Sequence, residues 1–441
     1  MSLQPEIITS VEQLGYRVTV GDVASQAGLE LNLAQRGLLA LAADAGGHLQ
    51  VADSGDIVYL FPPNFRTILR NKYWKIRLKE IWEKVWRVIF YLIRISFGVI
   101  LIASIILMMI TIAMIIISVN SSREGNNDSR GSREGSVGGL RLFFLPNFSD
   151  LFWIFYPNYD YNRYQDQPVQ NNQKKAQKSE LDFLEAIFSF LFGDGNPNYD
   201  LEERRWQEIG AVIRNNSGAV IAQQIAPYLD NITQYNQENE DYILPALSKF
   251  NGYPEVSPQG EIIYYFPELQ VTVQNQTKRS VGSYLKENLY RFTHASSGQI
   301  MLAIGLGSLN FILALVLGSL LKEPEVVNQI GGLVVFVDSI YGILLTYAIA
   351  FLATPLIRYF WIQYKNNKIE SRNLQRQAKA EIIEEPSQNL QQKMAYANKF
   401  AAKKVITEDD ITYSTEKDIL QQEIESSDKI DQEWQKRLES N

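Results

Sequence analysis

Three long apolar runs interrupt an otherwise polar chain. Ile95 to Val119 carries no charged residue. At about 1.5 Å per residue a helix of that length outreaches a hydrocarbon core of about 30 Å, which predicts a transmembrane helix over 95–119. A second run covers 300–321 and a third covers 330–357, interrupted only by Asp338; joined by KEPEVVNQ, they predict a transmembrane hairpin. The first run starts too far into the chain for a cleaved secretory signal, so the N-terminus is expected to stay where it is made.

Flanking cations set the expected orientation. Arg66, Arg70, Lys72, Lys75, Arg77, Lys79, Lys84 and Arg87 stand against Glu80 and Glu83 in a basic juxtamembrane helix over 66–94, which places the N-terminus in the cytoplasm. Arg358, Lys365, Lys368, Arg372, Arg376 and Lys379 stand against Glu370 after the third run, which places the C-terminus there too. Three crossings cannot return a chain to its starting side. The aromatic stretch 137–157, VGGLRLFFLPNFSDLFWIFYP, either crosses the bilayer or lies in its interface, because Arg141, Pro146 and Asp150 oppose burial. The side that carries 120–275 stays open. Within 120–199, the segment 181–193 has an apolar stripe of Leu181, Leu184, Phe188 and Leu191 that suits a membrane surface, a partner helix or burial against the module that follows.

Outside the apolar runs the pattern is that of a small module, repeated. GDVASQAG reads as a short helix closed by Gly28. Asn32 and Gln35 read as the capping box of a second helix burying Leu33, Gly37, Leu38, Leu41 and Ala42. GHLQVADSGDIVYLFP then alternates on both sides of Asp53-Ser54-Gly55-Asp56 and predicts a hairpin. The order returns after residue 200, where V-x-x-x-G-[DE]-I-[VI]-Y-x-F-P recurs: Val51, Gly55, Asp56, Ile57, Tyr59, Phe61 and Pro62 are answered by Val256, Gly260, Glu261, Ile262, Tyr264, Phe266 and Pro267. The expected architecture is an α+β membrane protein. It has winged-helix-like modules at 1–65 and 200–275, at least three transmembrane helices, and a helical cytoplasmic tail over 358–441.

Charge narrows what such modules do. The 441-residue chain is acidic overall, at −7. Residues 1–62 hold Arg17 and Arg36 against seven acids, so no phosphate-binding face is expected and no nucleic-acid partner. The chain has no cysteine and two histidines, His48 and His294, which leaves no thiolate chemistry, no ordinary iron–sulfur ligation and no nucleophile–base–acid set. No catalytic residue, cofactor or metal ligand is expected. DGNPNYDLEERR resembles a calcium loop but has Tyr199 and Arg205 where that loop needs Gly and Glu. Arg94 at its span's cytoplasmic end reads as a snorkelling side chain. Gly305, Gly307 and Asp338 are the candidate intramembrane contact, small residues and one carboxylate that a neighbouring helix would meet.

In RVTVGDVASQAGL, LALAADAGGHLQV, SFGVILIASI, DLFWIFYPNY, FSFLFGDGNPN, TPLIRYF and NNKIESRN, in that order over about residues 14–440, the chain resembles a thylakoid membrane protein family shared by cyanobacteria and chloroplasts. Plant members carry the label iron–sulfur cluster biosynthesis family protein. The family is associated with photosystem II assembly, in particular with accumulation of a core antenna subunit. The lack of a transit peptide ahead of the sequence looks cyanobacterial. The resemblance implies a non-catalytic, multi-pass thylakoid assembly factor whose partners are the bilayer and either photosystem II subunits or the membrane insertion machinery. The alternatives are a membrane-tethered transcription regulator and, against the missing cysteines, an iron–sulfur assembly protein.

Overall fold

The computed structural model describes residues 4–72, 74–124, 183–230, 239–273, 279–322 and 330–424, with Val327 and Ser427. The segment 137–157 lies outside the described residues. Two units divide the chain, one drawn from Met1–Trp82, Pro197–Leu289 and Asn367–Asn441, the other from Glu83–Asn196 and Tyr290–Asn366. Together they make a protein of mixed helix and sheet with three helices long and apolar enough to cross a membrane.

In the first unit each half of the repeat is built by the same local devices. Helix Pro5–Gln13 leads through Gly15 and Tyr16, both at positive φ, into strand β1 (Arg17–Thr19). Thr19 Oγ1 accepts the Asp22 N–H at 3.1 Å while the Asp22 carboxylate accepts the Thr19 N–H at 2.9 Å, and this capping box starts helix Val20–Ala27. Helix Leu31–Ala45 buries Leu31, Ala34, Leu38, Leu41, Ala42 and Ala45. Its cap is the backbone of Glu30, not Asn32, which sits exposed in the first turn; the helix starts earlier because Leu31 is drawn into the core. Strands β2 (His48–Ala52) and β3 (Ile57–Leu60) form the expected hairpin, with Gly55 at φ 85 in its turn.

The second half follows with helix Leu201–Asn215, strand β4 (Ala219–Val220), helix Ala222–Ile225, helix Leu244–Phe250, and strands β5 (Tyr253–Val256) and β6 (Ile262–Tyr265). The Phe61 N–H donates to the Tyr16 carbonyl at 2.8 Å, and Phe266 donates to Gly218 at the same distance. Gly47 lies against the Phe61 ring, where a Cβ would stand 2.9 Å away, and Gly252 lies still closer against Phe266. Both glycines let an aromatic ring close over the strand start.

The halves share one apolar core that runs from Ile7 and Val11 through Leu38, Tyr59 and Phe65 to Ile209, Phe250, Phe266 and Leu285. Helix Val20–Ala27 meets helix Leu201–Asn215 through small residues, with Gly210 against Ser25. At that seam Arg214 Nη2 forms a 2.6 Å ion pair with Asp22 Oδ1, which also accepts from the Thr272 hydroxyl at 3.0 Å.

The helical tail expected over 358–441 is interrupted: helix Gln388–Ala397 is followed by two short strands before helix resumes at 419–424. Strand β8 (Lys404–Val405) pairs in parallel with β7 (Val271–Thr272), and β9 (Ile411–Ser414) pairs antiparallel with β2, so the first sheet runs β1-β3-β2-β9. These strands have too few residues to show an alternation of their own; the edges of β2 and β7 supply their hydrogen-bond partners. Arg17 extends this join by donating to the carbonyls of Ile406 and Thr407 at 3.1 and 3.2 Å.

The second unit holds the apolar helices. The basic segment at 66–94 is helical in its described residues, within Phe65–Lys72 and within Trp74–Glu124, whose apolar stretch is Ile81–Val119. Ser296 and Gln299 form a capping box that starts helix Ser297–Leu320. The third helix, Leu333–Glu384, carries Pro355 internally. Helix Phe183–Phe192 buries Phe183, Ile187, Phe190 and Leu191 among Leu101, Ile105, Met109, Ala303, Leu306 and Phe351. It is a partner helix to the spans, which corrects the alternative of burial against the module that follows.

Candidate functional site

The three sequence-chosen residues do not converge. Residues two apart on a helix are about 200° apart around its axis, so Gly305 and Gly307 face opposite ways. A Cβ on Gly307 would come within 2.6 Å of the Phe351 ring, whereas one on Gly305 meets nothing within 4 Å. Gly318, three turns farther along, lies under Tyr341. Gly307 and Gly318 therefore mark the seam of the hairpin, and Gly305 lies on the outward face with exposed Met301 and Ile312.

The register Gly307 to Phe351 and Gly318 to Tyr341 puts Asp338 nearer the hairpin loop than either glycine. Its helix begins at Leu333, so Asp338 lies only about 7.5 Å along the axis, and it is exposed. A carboxylate at that depth reaches water without a partner helix.

The polar contacts that do hold the spans together come from residues the sequence reading passed over. Ser104 Oγ lies 2.8 Å from the Leu101 carbonyl and 2.8 Å from the side-chain amide of Asn310, which is fully buried. A hydroxyl has one proton. Donated to Asn310 Oδ1, that proton links the two helices and leaves the buried Asn310 amide nitrogen without an acceptor among the described residues. Tyr347 donates to the Phe97 carbonyl at 3.1 Å. Such bonds contribute about 0.6 kcal/mol each inside a bilayer. Asn310 was legible as the lone amide in its apolar run.

A second polar group gathers around helix Phe183–Phe192. Arg358 donates to the carbonyls of Ser189 and Phe190 at 3.3 and 3.0 Å and to that of Phe292, and it lies over the Phe292 ring. A cation on the last carbonyls of a helix is favourably placed against the helix dipole. Asp194 accepts from the Ser189 hydroxyl at 2.9 Å and from the His294 N–H at 2.9 Å. Asn198 and Asp200 instead bind the Asn288 backbone and Arg204, so the resemblance to a calcium loop dissolves. Among the described residues no group of three or more His, Asp or Glu could hold a metal ion. Among the described residues the outward face around Gly305 is apolar, small at its centre and free of side chains there.

The sequence is 40% identical over 445 residues to "Uncharacterized protein At5g03900, chloroplastic" of Arabidopsis thaliana, a match that spans 97% of this chain and 81% of that protein. No protein-family profile matches the chain, and no solved structure does.

Proposed function

The chain belongs to the family of that chloroplastic Arabidopsis protein, and from this membership we propose that it is a non-catalytic thylakoid membrane assembly factor that assists biogenesis of photosystem II subunits through protein–protein contacts. The observation that carries the reading is the outward face of helix Ser297–Leu320, where Gly305 opens a side-chain-free spot between Met301 and Ile312. Small residues at such a spot let a second helix approach closely. The photosystem II part rests on the family resemblance.

In the same reading, the two halves of the repeat are modules of winged-helix type turned to protein contact. Helix Leu31–Ala45 carries Arg36 as its one basic residue and exposes Leu33 and Leu39, which suits a protein and not a phosphate backbone. The proposed orientation draws on the first unit, which gathers residues before the first apolar helix, between the first and second, and after the third; a water-soluble unit of that kind does not straddle a bilayer. On this reading Met1–Trp82, Pro197–Leu289 and Asn367–Asn441 face one side, the cytoplasmic side by their flanking cations.

The test is capture of the full-length protein from solubilised thylakoid membranes after crosslinking from a photoreactive residue placed at Gly305. The reading expects a photosystem II subunit or the insertion machinery in the crosslink. Lipid adducts alone, or specific recovery of DNA fragments with the protein, would refute it.

A further inference from the structure

A cavity of about 120 Å³ opens where the two halves of the repeat and the tail meet. It is far larger than the ~10–15 Å³ that holds one water and smaller than the ~300–1,000 Å³ of pockets that enclose drug-sized ligands, so it suits a compact polar ion. Asp22, Arg214, Gln270, Thr272, Arg279 and Lys403 are among its lining residues. Three cations therefore face one carboxylate, inside a repeat that is otherwise acidic.

The two arginines are held by side-chain contacts, and the backbone beside the lysine is anchored. Arg214 has Nη2 fixed by Asp22 at 2.6 Å and by the Val271 carbonyl at 3.0 Å, while its buried Nε–H has no acceptor among the described residues. The Arg279 backbone N–H donates to Asn215 Oδ1 at 3.1 Å, and its guanidinium donates to Gln26 at 3.3 Å. Next to Lys403, the Ala402 N–H donates to the Ser217 carbonyl at 3.0 Å. Asp22 balances Arg214. The other acid near Arg279 is Glu208, which burial pushes up toward its neutral form against the pull of Arg204, Arg279 and Arg376. A buried guanidinium N–H without an acceptor is costly, and fork-shaped donors with a second arginine and a lysine match a tetrahedral oxyanion.

We propose that this cavity binds a phosphate group, free or as a small phosphomonoester, which joins the tail at Lys403 to Arg214 and Arg279 of the body. The proposal does not rest on the assembly-factor reading.

Isothermal titration of the full-length protein in neutral detergent with inorganic phosphate, at constant ionic strength set by sodium chloride, tests it. The expected result is saturable one-to-one binding with Kd below about 1 mM. Arg279→Gln and Lys403→Gln, both at exposed side chains, should each weaken it about tenfold with the thermal unfolding midpoint unchanged. Phosphate should also slow proteolysis at Lys403 in the parent protein. Glycerol 3-phosphate binding as tightly as phosphate assigns the site to esters; weaker ester binding assigns it to the free ion. No saturable binding up to about 10 mM, equal affinity in both variants, or tighter binding of succinate than of phosphate would overturn the proposal.

Discussion

Arg376 Nη2 lies 2.9 Å from Glu287 Oε1, with both side chains almost wholly buried. The same guanidinium donates Nε to Asp230 at 3.0 Å and Nη1 to the Leu285 carbonyl at 2.9 Å, while Arg372 Nη2 stands 2.6 Å from the other Glu287 oxygen. Residues from the far end of helix Leu333–Glu384 are thereby clamped onto the segment that precedes the second span.

Replacing one partner of a buried pair leaves the other charge without compensation, at about 3–5 kcal/mol. Arg376→Met should therefore lower unfolding stability by about 3 kcal/mol or more in chemical denaturation of the detergent-solubilised protein. Arg372→Met, at a side chain 41% exposed, should cost about 1 kcal/mol or less.

The clamp also sets an acid limit. Burial alone would raise the Glu287 pKa, but its hydrogen bonds and charge contacts with Arg372 and Arg376 outweigh that and hold it below the usual carboxylate range. A carboxylate depressed in the folded state contributes stability that is complete above its unfolded pKa of about 4.3. The contribution fades as pH falls through the lower folded value. The denaturation midpoint of the parent should drop between about pH 4.5 and 3 more steeply than that of Glu287→Gln, and parallel curves would remove Glu287 from the acid response.

In the membrane the two glycines should part company. Gly307→Leu drives a side chain into the Phe351 ring and should cost roughly 1–3 kcal/mol or more, visible as lower membrane abundance. Gly305→Leu should leave abundance unchanged and reduce co-purified partner. Asp338→Leu should leave both unchanged. Abundance is read by quantitative immunoblot, and equal behaviour of Gly305→Leu and Gly307→Leu would contradict the opposed faces.

Sidedness can be read directly, since the native chain has no cysteine to mask. Ser54→Cys, Gln259→Cys and Glu416→Cys, each at an exposed position, should react with a membrane-impermeant maleimide from the same side of sealed vesicles. Labelling of Gln259→Cys from the opposite side would break the one-sided arrangement.

How much of this was legible follows from which residues carry the signal. The repeat was readable because a turn glycine, an alternating strand and a closing Phe-Pro recur with the same spacing at 51–62 and 256–267. Strands β4 and β9 were not, since two to four residues show no period and their pairing depends on an edge far away in sequence. The Gly305–Gly307 pair was misread as one face because spacing in sequence was counted and angle around the helix was not. Asn310 and Arg358 were visible as polar residues in or beside apolar runs, but the carbonyls and hydroxyl they bind belong to other helices.

The tail strand has a consequence for the order of folding. Thr415 closes on Leu49 across 366 positions of chain, with the Leu49 N–H donating to the Thr415 hydroxyl at 2.9 Å. During synthesis from the N-terminus the first sheet waits with β2 as an open edge until all three apolar helices have been made. Contacts of such sequence separation form late, and an unpaired edge in the meantime invites foreign strands. Completion of the sheet thus reports that the chain has been made through its last apolar helix, which makes this sheet a late-closing part of the first unit.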